Sequence, residues 1–307
     1  MPPVPPTDET FRLAVIIPHY NDADRLERCL QALAPQLSAV PGVETLVVDN
    51  ASPESPAAMV ARIGGAVGMR CLTETARGAA AARNCGVHAS TAPLLAFLDC
   101  DCVPAPDWLE RCFDAATRGD LVGGRVDTFE ETPPPRSGAE AFEAVFAFHQ
   151  RDYVARKGFS VTANLVTRRD VFLATGDMVP GLSEDMDWCR RATAQGFVLV
   201  YDDDLPVSHP TRQDWPALVR KWRRTTDETF LLHGTDPADR LTWVLRAGAV
   251  ALSGVAHLPR IWTAPALSDT TERWRGSTTL LRLRFCRAGW MLRQALTGAP
   301  LTGRNSG

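Results

Sequence analysis

Two aspartates spaced i, i+2, Asp99 and Asp101, close the apolar run Leu94-Leu95-Ala96-Phe97-Leu98. Bounded by Pro93 and Pro104, the run reads as a buried strand of an α/β sheet. Side chains alternate along a strand, so both carboxylates are expected on one side, with Cys100 and Cys102 on the other. Neighbouring carboxylates at the end of a buried strand repel each other unless a cation or a proton lies between them. Ligands of open α/β sheets bind outside the carboxyl ends of the strands. The economical chemistry is a divalent cation holding a phosphorylated ligand; a solvated acidic turn is the alternative.

Three further groups could join that chemistry. Asp49 ends a second apolar run, Thr45-Leu46-Val47-Val48, and is followed by Asn50-Ala51-Ser52, where a base or ribose could be read by hydrogen bonds. Glu184, Asp185 and Asp187 fall in the first turn of a helix that Ser183 can cap, a position the helix dipole favours for acids. A carboxylate there is equally well placed to act as a general base. His209, in Pro206-Val207-Ser208-His209-Pro210, is either a structural histidine or a metal ligand. The first apolar run, Leu13-Ala14-Val15-Ile16-Ile17, leads into Pro18-His19-Tyr20-Asn21 rather than G-x-G-x-x-G, and no G-x-x-x-x-G-K-[ST] occurs. A Rossmann dinucleotide site and a P-loop are therefore excluded.

The elements that must carry these groups alternate strand and helix. Strands are expected at 13–17, 45–48, 69–72 and 94–98. A helix with Leu26, Cys29, Leu30 and Leu33 on one face follows the first, a helix around 56–63 the second, and an Ala-rich helix over 78–89 the third. This order predicts a mostly parallel sheet flanked by helices. Beyond it, strands are expected at 121–129, 159–166 and 197–201, a helix at 139–157, and Arg-rich helices after His209.

Length and 45% apolar content suit one large α/β domain or two modest ones. The net charge of −3 conceals a balance of +7 over 246–307 against −10 elsewhere. A basic tail suggests an anionic surface, lipid more than nucleic acid, since no nucleic-acid motif accompanies the arginines. Eight cysteines without C-x-x-C spacing read as the reduced pattern of a cytoplasmic protein. Residues 1–10 show no leader pattern and are expected to be disordered. The apolar stretch 247–259 is too short to span a bilayer and contains His257.

Taken together, the motifs resemble the inverting glycosyltransferases of family 2. The matching pieces are Ile16-Ile17-Pro18-His19-Tyr20-Asn21, Val48-Asp49-Asn50-Ala51-Ser52, Arg77-Gly78 with Ala82-Arg83-Asn84, Phe97-Leu98-Asp99-Cys100-Asp101, Glu184-Asp185-Met186-Asp187, and Tyr201 with His209. They stand in the family's order over about two-thirds of the chain. The resemblance implies the GT-A fold for nucleotide-diphospho-sugar transfer over 11–235, with a basic helical C-terminal extension at 236–307. It implies Asp185 as the catalytic base beside Glu184. Donor contacts would come from Pro18, Tyr20, Asn21, Asp49, Ser52, Glu74, Arg77, Arg83, Asp99, Asn164 and Trp188. Asp101, Asp99 and His209 would hold Mg²⁺ or Mn²⁺.

The same resemblance implies a hexosyltransferase using a nucleotide-diphospho sugar, a UDP-sugar first among them, with a glycan or lipid-linked acceptor. Processive members carry a Gln- or Arg-x-x-Arg-Trp motif; here Leu218-Val219-Arg220-Lys221-Trp222 departs from it, which implies addition of a single sugar. Arg220, Lys221, Arg223 and Arg224 are expected either near a diphosphate or on a solvated helix face. The stretch 273–296, with arginines between Trp and Leu, suits a peripheral helix at a membrane interface, or packing on the body or in a homodimer. A non-catalytic nucleotide-sugar-binding module and a nucleotidylyltransferase are the competing readings.

Overall fold

The computed structural model describes residues 11–181 and 183–301. The tail expected to be disordered, 1–10, lies outside them, as do 302–307. The chain forms two compact units: residues up to Asp127 with His149–His209, and Thr128–Phe148 with the chain from Pro210 onward.

The first unit is built on the predicted alternation. Strand β1 (Leu13–His19) is followed by α1 (Ala23–Ala39), β2 (Val43–Asp49), α2 (Ala57–Gly64), β3 (Met69–Thr73), α3 (Ala79–His88) and β4 (Leu94–Leu98). β1 lies between β2 and β4 in parallel, with Ile16 opposite Leu46 and Phe97, and β3 is parallel to β2. Then come β5 (Val103–Pro104), α4 (Trp108–Ala115), β6 (Leu121–Phe129), α5 (Gly138–Phe146) and α6 (Gln150–Asp152). β7 (Asn164–Arg168), α7 (Arg169–Thr175), α8 (Glu184–Ala194) and β8 (Leu199–Pro210) follow.

The sheet order is β3-β2-β1-β4-β7-β6-β8-β5. β7 runs antiparallel to β4 and to β6, and β5 antiparallel to β8, so the sheet is mixed, with its parallel strands grouped at one side. β1, apolar up to His19, is buried along its length, and apolar β4 from Leu95 onward, as expected for strands covered on both faces. Gly86 lets α3 approach β1, since a Cβ there would come within 2.6 Å of Ile16 Cγ2.

Three expectations needed correction in the second half. The single helix at 139–157 is broken after Phe146, where Phe148 takes a left-handed conformation, and resumes as α6 and a π turn over Tyr153–Lys157. The strand at 159–166 is shifted to β7. The strand at 197–201 continues to Pro210, which puts His209 inside a strand.

The second unit contains α5 with α9 (Trp215–His233), α10 (Pro237–Ala256), α11 (Leu258–Trp262) and α12 (Thr270–Thr297). Its boundary differs from the expected break at 235/236 because α5 and α9 share its core. Phe142, Leu218, Ile261, Leu267, Leu280 and Leu283 pack together, and Phe230, Trp243 and Met291 form a second cluster. Glu143 is buried here between Arg212 at 3.0 Å and Lys221 at 2.9 Å. Burial opposes its charge, but Lys221 and Arg212 outweigh burial and hold the carboxyl below its ordinary range.

α12 buries Leu280, Leu283, Met291 and Ala295, which realises the packing alternative for 273–296 along one face. The exposed apolar row lies mainly on α10: Leu241, Val244, Leu245, Leu252 and Val255. The helical stretch 237–262 is long and apolar enough to cross a membrane by length and composition, longer than the 247–259 segment read from the sequence.

Asn164 is a structural clip in the first unit. Its Nδ2 donates to the carbonyls of Arg125 (3.0 Å) and Leu205 (2.7 Å), and its Oδ1 accepts from Trp108 Nε1 (3.1 Å). Asn164→Ala would leave these buried groups unpaired and should cost about 3 kcal/mol in a denaturant titration. A loss near zero would show that the clip does not hold the strands.

Candidate active site

The ends of β1 and β2 form one hydrogen-bonded cluster. Asp49 is buried, and its Oδ1 accepts from Ser52 Oγ (2.5 Å) and lies 3.1 Å from His19 Nδ1. His19 Nε2 accepts from the Asp22 amide (3.2 Å), so Nδ1 is the nitrogen that carries the proton to Asp49. Ser52 Oγ also accepts from the Asn21 amide (2.8 Å), which ties the two loops together. Asn50 braces the next loop: its Nδ2 donates to the carbonyls of Glu74 and Ala76, and its Oδ1 accepts from the Gly78 amide. Tyr20, directly after β1, is 62% exposed.

Arg83 organises the second half of the site. Its guanidinium is buried, with Nη2 donating to Asp99 (2.6 Å) and Nη1 to Glu184 (3.4 Å). Burial works against this cation, but Asp99 and Glu184 outweigh burial and raise its pKa. Its Nε is buried without a hydrogen-bond partner.

The segment before α8 is fastened on two sides. Asn84 exchanges hydrogen bonds with the Met178 backbone, and Arg191 donates to the carbonyls of Thr175 and Asp177. Ser183 sits at the start of α8 in a left-handed conformation and makes no side-chain cap bond, contrary to the expected cap. Asn21, Ala51 and Ser183 are three of the four non-glycine residues with positive φ among those described, and each flanks the site. Such strain collects where surrounding structure fixes a functional geometry.

Asp185 follows in the first turn of α8. Its Oδ1 accepts from the Met186 amide (2.8 Å). Burial first, then the negative charges of Glu184 and Asp99, push its pKa up to about 6 against the Met186 amide bond and the pull of Arg83. A carboxyl poised there is ionised at neutral pH yet a stronger base than an exposed aspartate.

Asp99 and Asp101 do not share a strand face. β4 ends at Leu98, and a turn closed by the Cys102 amide on the Asp99 carbonyl (3.0 Å) sends the two side chains to different partners. Asp99 is held by Arg83, whereas Asp101 Oδ2 lies 3.2 Å from His209 Nε2 on β8. Among the described residues no group of three His, Cys, Asp or Glu side chains gathers as a ready-made metal centre. Asp101 with His209 still fits a divalent cation completed by diphosphate oxygens and water, since Mg²⁺ commonly takes only one or two protein carboxylates.

Known proteins resemble this chain in sequence and fold. Residues 14–178 match the family model for glycosyl transferase family 2. The chain is 33% identical over 218 residues to the glycosyltransferase AglE of Haloferax volcanii, covering 69% of this chain and 71% of that one. The chain belongs to glycosyltransferase family 2. It is 30% identical over 232 residues to the pre-mycofactocin glycosyltransferase of Mycobacterium tuberculosis, covering 70% of this chain and about half (47%) of that protein.

Among solved structures, a mannosyltransferase of Pyrobaculum calidifontis, in complex with GDP-mannose and Mn²⁺, superposes with a TM-score of 0.57 at 18% identity, over 94% of this chain and 87% of that one. S. aureus TarS, residues 1–349, gives 0.52 at 14% identity over 94% of this chain and 92% of its own. These fix the fold as GT-A with a helical C-terminal part. The family match and the glycosyltransferase relatives make the enzyme a hexosyltransferase.

The family 2 motifs identified from the sequence divide in the structure. Asp49, Ser52 and Asn21 are brought together, with Pro18 buried at the end of β1. Arg83, Asp99, Glu184 and Asp185 form the second group. Glu74 accepts from the Ala76 amide (2.7 Å) and Arg77 is exposed on the same loop.

Two expected donor contacts belong to the core instead. Asn164 spends its polar atoms on the clip described above. Trp188 is fully buried against Phe172, with Nε1 donating to the Gly176 carbonyl (2.9 Å). Asp99, expected as a metal ligand too, is engaged by Arg83. His19, Asn50 and Asn84 were not assigned roles, although all three lie inside motifs that were recognised.

Arg223 lies over the Trp290 ring and Arg224 reaches Glu228 at 3.6 Å, both exposed as the solvated helix-face reading expects, whereas Lys221 is turned to buried Glu143.

Because burial raises the Asp185 pKa, the folded state binds a proton more tightly than the unfolded chain between pH 4 and 6. Stability therefore falls as pH rises through that window, and the cost persists above it. Asp185→Asn should raise stability at pH 8, by up to about 3 kcal/mol, and leave it unchanged at pH 4. A lower midpoint at pH 8 would contradict the assigned environment.

Proposed function

We propose that this enzyme transfers one sugar from a nucleotide-diphospho sugar to an acceptor hydroxyl with inversion at the anomeric carbon. The observation that carries the reading is Arg83, which draws Asp99 and Glu184 together and so sets Asp185 beside them. Support comes also from the family match and from a structural neighbour that binds GDP-mannose and Mn²⁺.

Asp185 accepts the proton of the acceptor hydroxyl. The acceptor oxygen forms a bond to the anomeric carbon as the bond to the diphosphate oxygen breaks, and the electron pair leaves with the diphosphate. The Arg83 guanidinium holds Asp99 and Glu184 in place. The loops fixed by Asp49, Ser52 and Asn50 bind the nucleoside, with exposed Tyr20 available to stack on its base. Asp101 and His209 would hold Mg²⁺ or Mn²⁺, which supplies positive charge against the departing diphosphate. Lys221 is committed to buried Glu143, consistent with addition of a single sugar.

We further propose that the helical unit keeps the enzyme at a membrane surface, where a lipid-linked acceptor is presented. The exposed row on α10, the exposed Trp262 and Trp274, and the net positive charge of 246–307 suit an anionic bilayer.

Asp185→Asn should lower the transfer rate by about 10²–10⁴-fold while leaving donor affinity within about twofold, measured with UDP- and GDP-sugars in turn. The wild-type rate should fall about tenfold per pH unit below about 6. Equal loss of transfer and donor binding would overturn the base assignment. A product that keeps the donor's anomeric configuration, read by proton NMR, would overturn inversion.

A further inference from the structure

The helical unit holds a concentration of positive charge that its own fold does not neutralise. Arg284 and Arg287 stand three residues apart on α12, Arg246 lies on α10, Arg260 on α11, and His257 joins α10 to α11. The helices meet closely at Gly254, where a Cβ would come within 3.3 Å of both Arg284 Cβ and Leu281 Cδ2. That approach brings Arg284 within electrostatic reach of His257 and Arg260, and Arg287 within reach of Arg284 and Arg246.

Among the described residues, no carboxylate pairs with any of these four arginines. Several acids of this unit are committed elsewhere: Glu143 to Arg212 and Lys221, Glu272 to Arg136, Glu228 to Arg224, and Asp227 to Gln294 and the Leu301 amide. Arg284 Nε and His257 Nδ1 are buried without a hydrogen-bond partner. Arg287 lies 4.2 Å from the Trp222 ring centroid and Arg246 5.3 Å from that of Trp243, contacts that orient a guanidinium without cancelling its charge. Burial, then Arg284 and Arg246, push Arg287 down to about 9, and burial with Arg260 lowers Arg284.

Clustered guanidinium groups that lack a counter-charge repel each other and work against the fold. Their planar forks match phosphate oxygens in pairs, which a lone ammonium cannot do. We propose that Arg246, Arg260, Arg284 and Arg287, together with His257, form a binding site for a phosphate or diphosphate group. The group is either a lipid headgroup or a soluble phosphate. The site uses residues of the helical unit alone, and it stands whether or not Asp185 is the catalytic base.

The test uses the full chain in phosphate-free buffer with EDTA, so that a metal-dependent donor site does not respond. Wild type and Arg284→Gln/Arg287→Met are compared by thermal unfolding with added pyrophosphate at matched ionic strength. Both are also sedimented with phosphatidylglycerol or phosphatidylcholine vesicles. Without ligand the double variant should melt at or above the wild-type midpoint, because unpaired buried charge has been removed.

Pyrophosphate should raise the wild-type midpoint and not that of the variant if the ligand is a soluble phosphate. If it is a headgroup, phosphatidylglycerol vesicles should bind wild type about thirtyfold more tightly than the variant. Arg260→Gln, at an exposed position, repeats the comparison should the double variant fail to fold, and it should shift both readouts the same way. Equal responses of wild type and variants to both probes would overturn the site.

Discussion

The catalytic unit depends on one buried cation. Arg83 has almost no access to water, so its charge is tolerable only because Asp99 and Glu184 surround it. The three residues come from α3, from the end of β4 and from the start of α8, so a single guanidinium fixes segments that lie about a hundred residues apart in sequence. The carboxylates gain by the same contact, since two acids this close would otherwise repel. Asp185 lies at the edge of that arrangement: near enough to Arg83 to stay ionisable at neutral pH, and buried enough to be a better base than a surface aspartate.

The rest of the first unit keeps this geometry from relaxing. Parallel strands deliver Asp49 and Asp99 to the same end of the sheet, and Gly86 seats α3 tightly on β1 so that Arg83 reaches its partners. The segment leading to α8 is pinned by Asn84 on one side and Arg191 on the other. In the helical unit, buried Glu143 plays an equivalent organising role for Arg212 and Lys221. The two units treat charge differently: in the first, buried Arg83 has two acids, while in the second Arg287 lies over Trp222 and donates to Thr226, and Arg246 lies over Trp243, with no carboxylate partner among the described residues.

Much of the fold was legible because its signals are local. The apolar runs at 13–17, 45–48 and 94–98 and the face carrying Leu26, Cys29, Leu30 and Leu33 became buried strands and a helix at those positions. Site acids placed at strand ends were legible for the same reason. Asn164 and Trp188 were not, because whether a polar atom faces a ligand or a backbone carbonyl depends on neighbours far away in sequence, here Arg125, Leu205 and Gly176. The strand alternation that put Asp99 and Asp101 on one side failed because the chain turns directly after Leu98. The exposed face of α10 was missed because Asp239, Arg240 and Arg246 interrupt the apolar run in sequence, while on the helix Leu241, Val244, Leu245 and Leu252 still line up.

Because Arg83 engages Asp99, the proposed cation is assigned to Asp101 and His209. Paramagnetic resonance of Mn²⁺ titrated into the protein with a nucleoside diphosphate measures this division directly. Asp101→Asn should abolish the bound-Mn²⁺ signal and Asp99→Asn should retain it. Loss of the signal in Asp99→Asn with retention in Asp101→Asn would contradict the account.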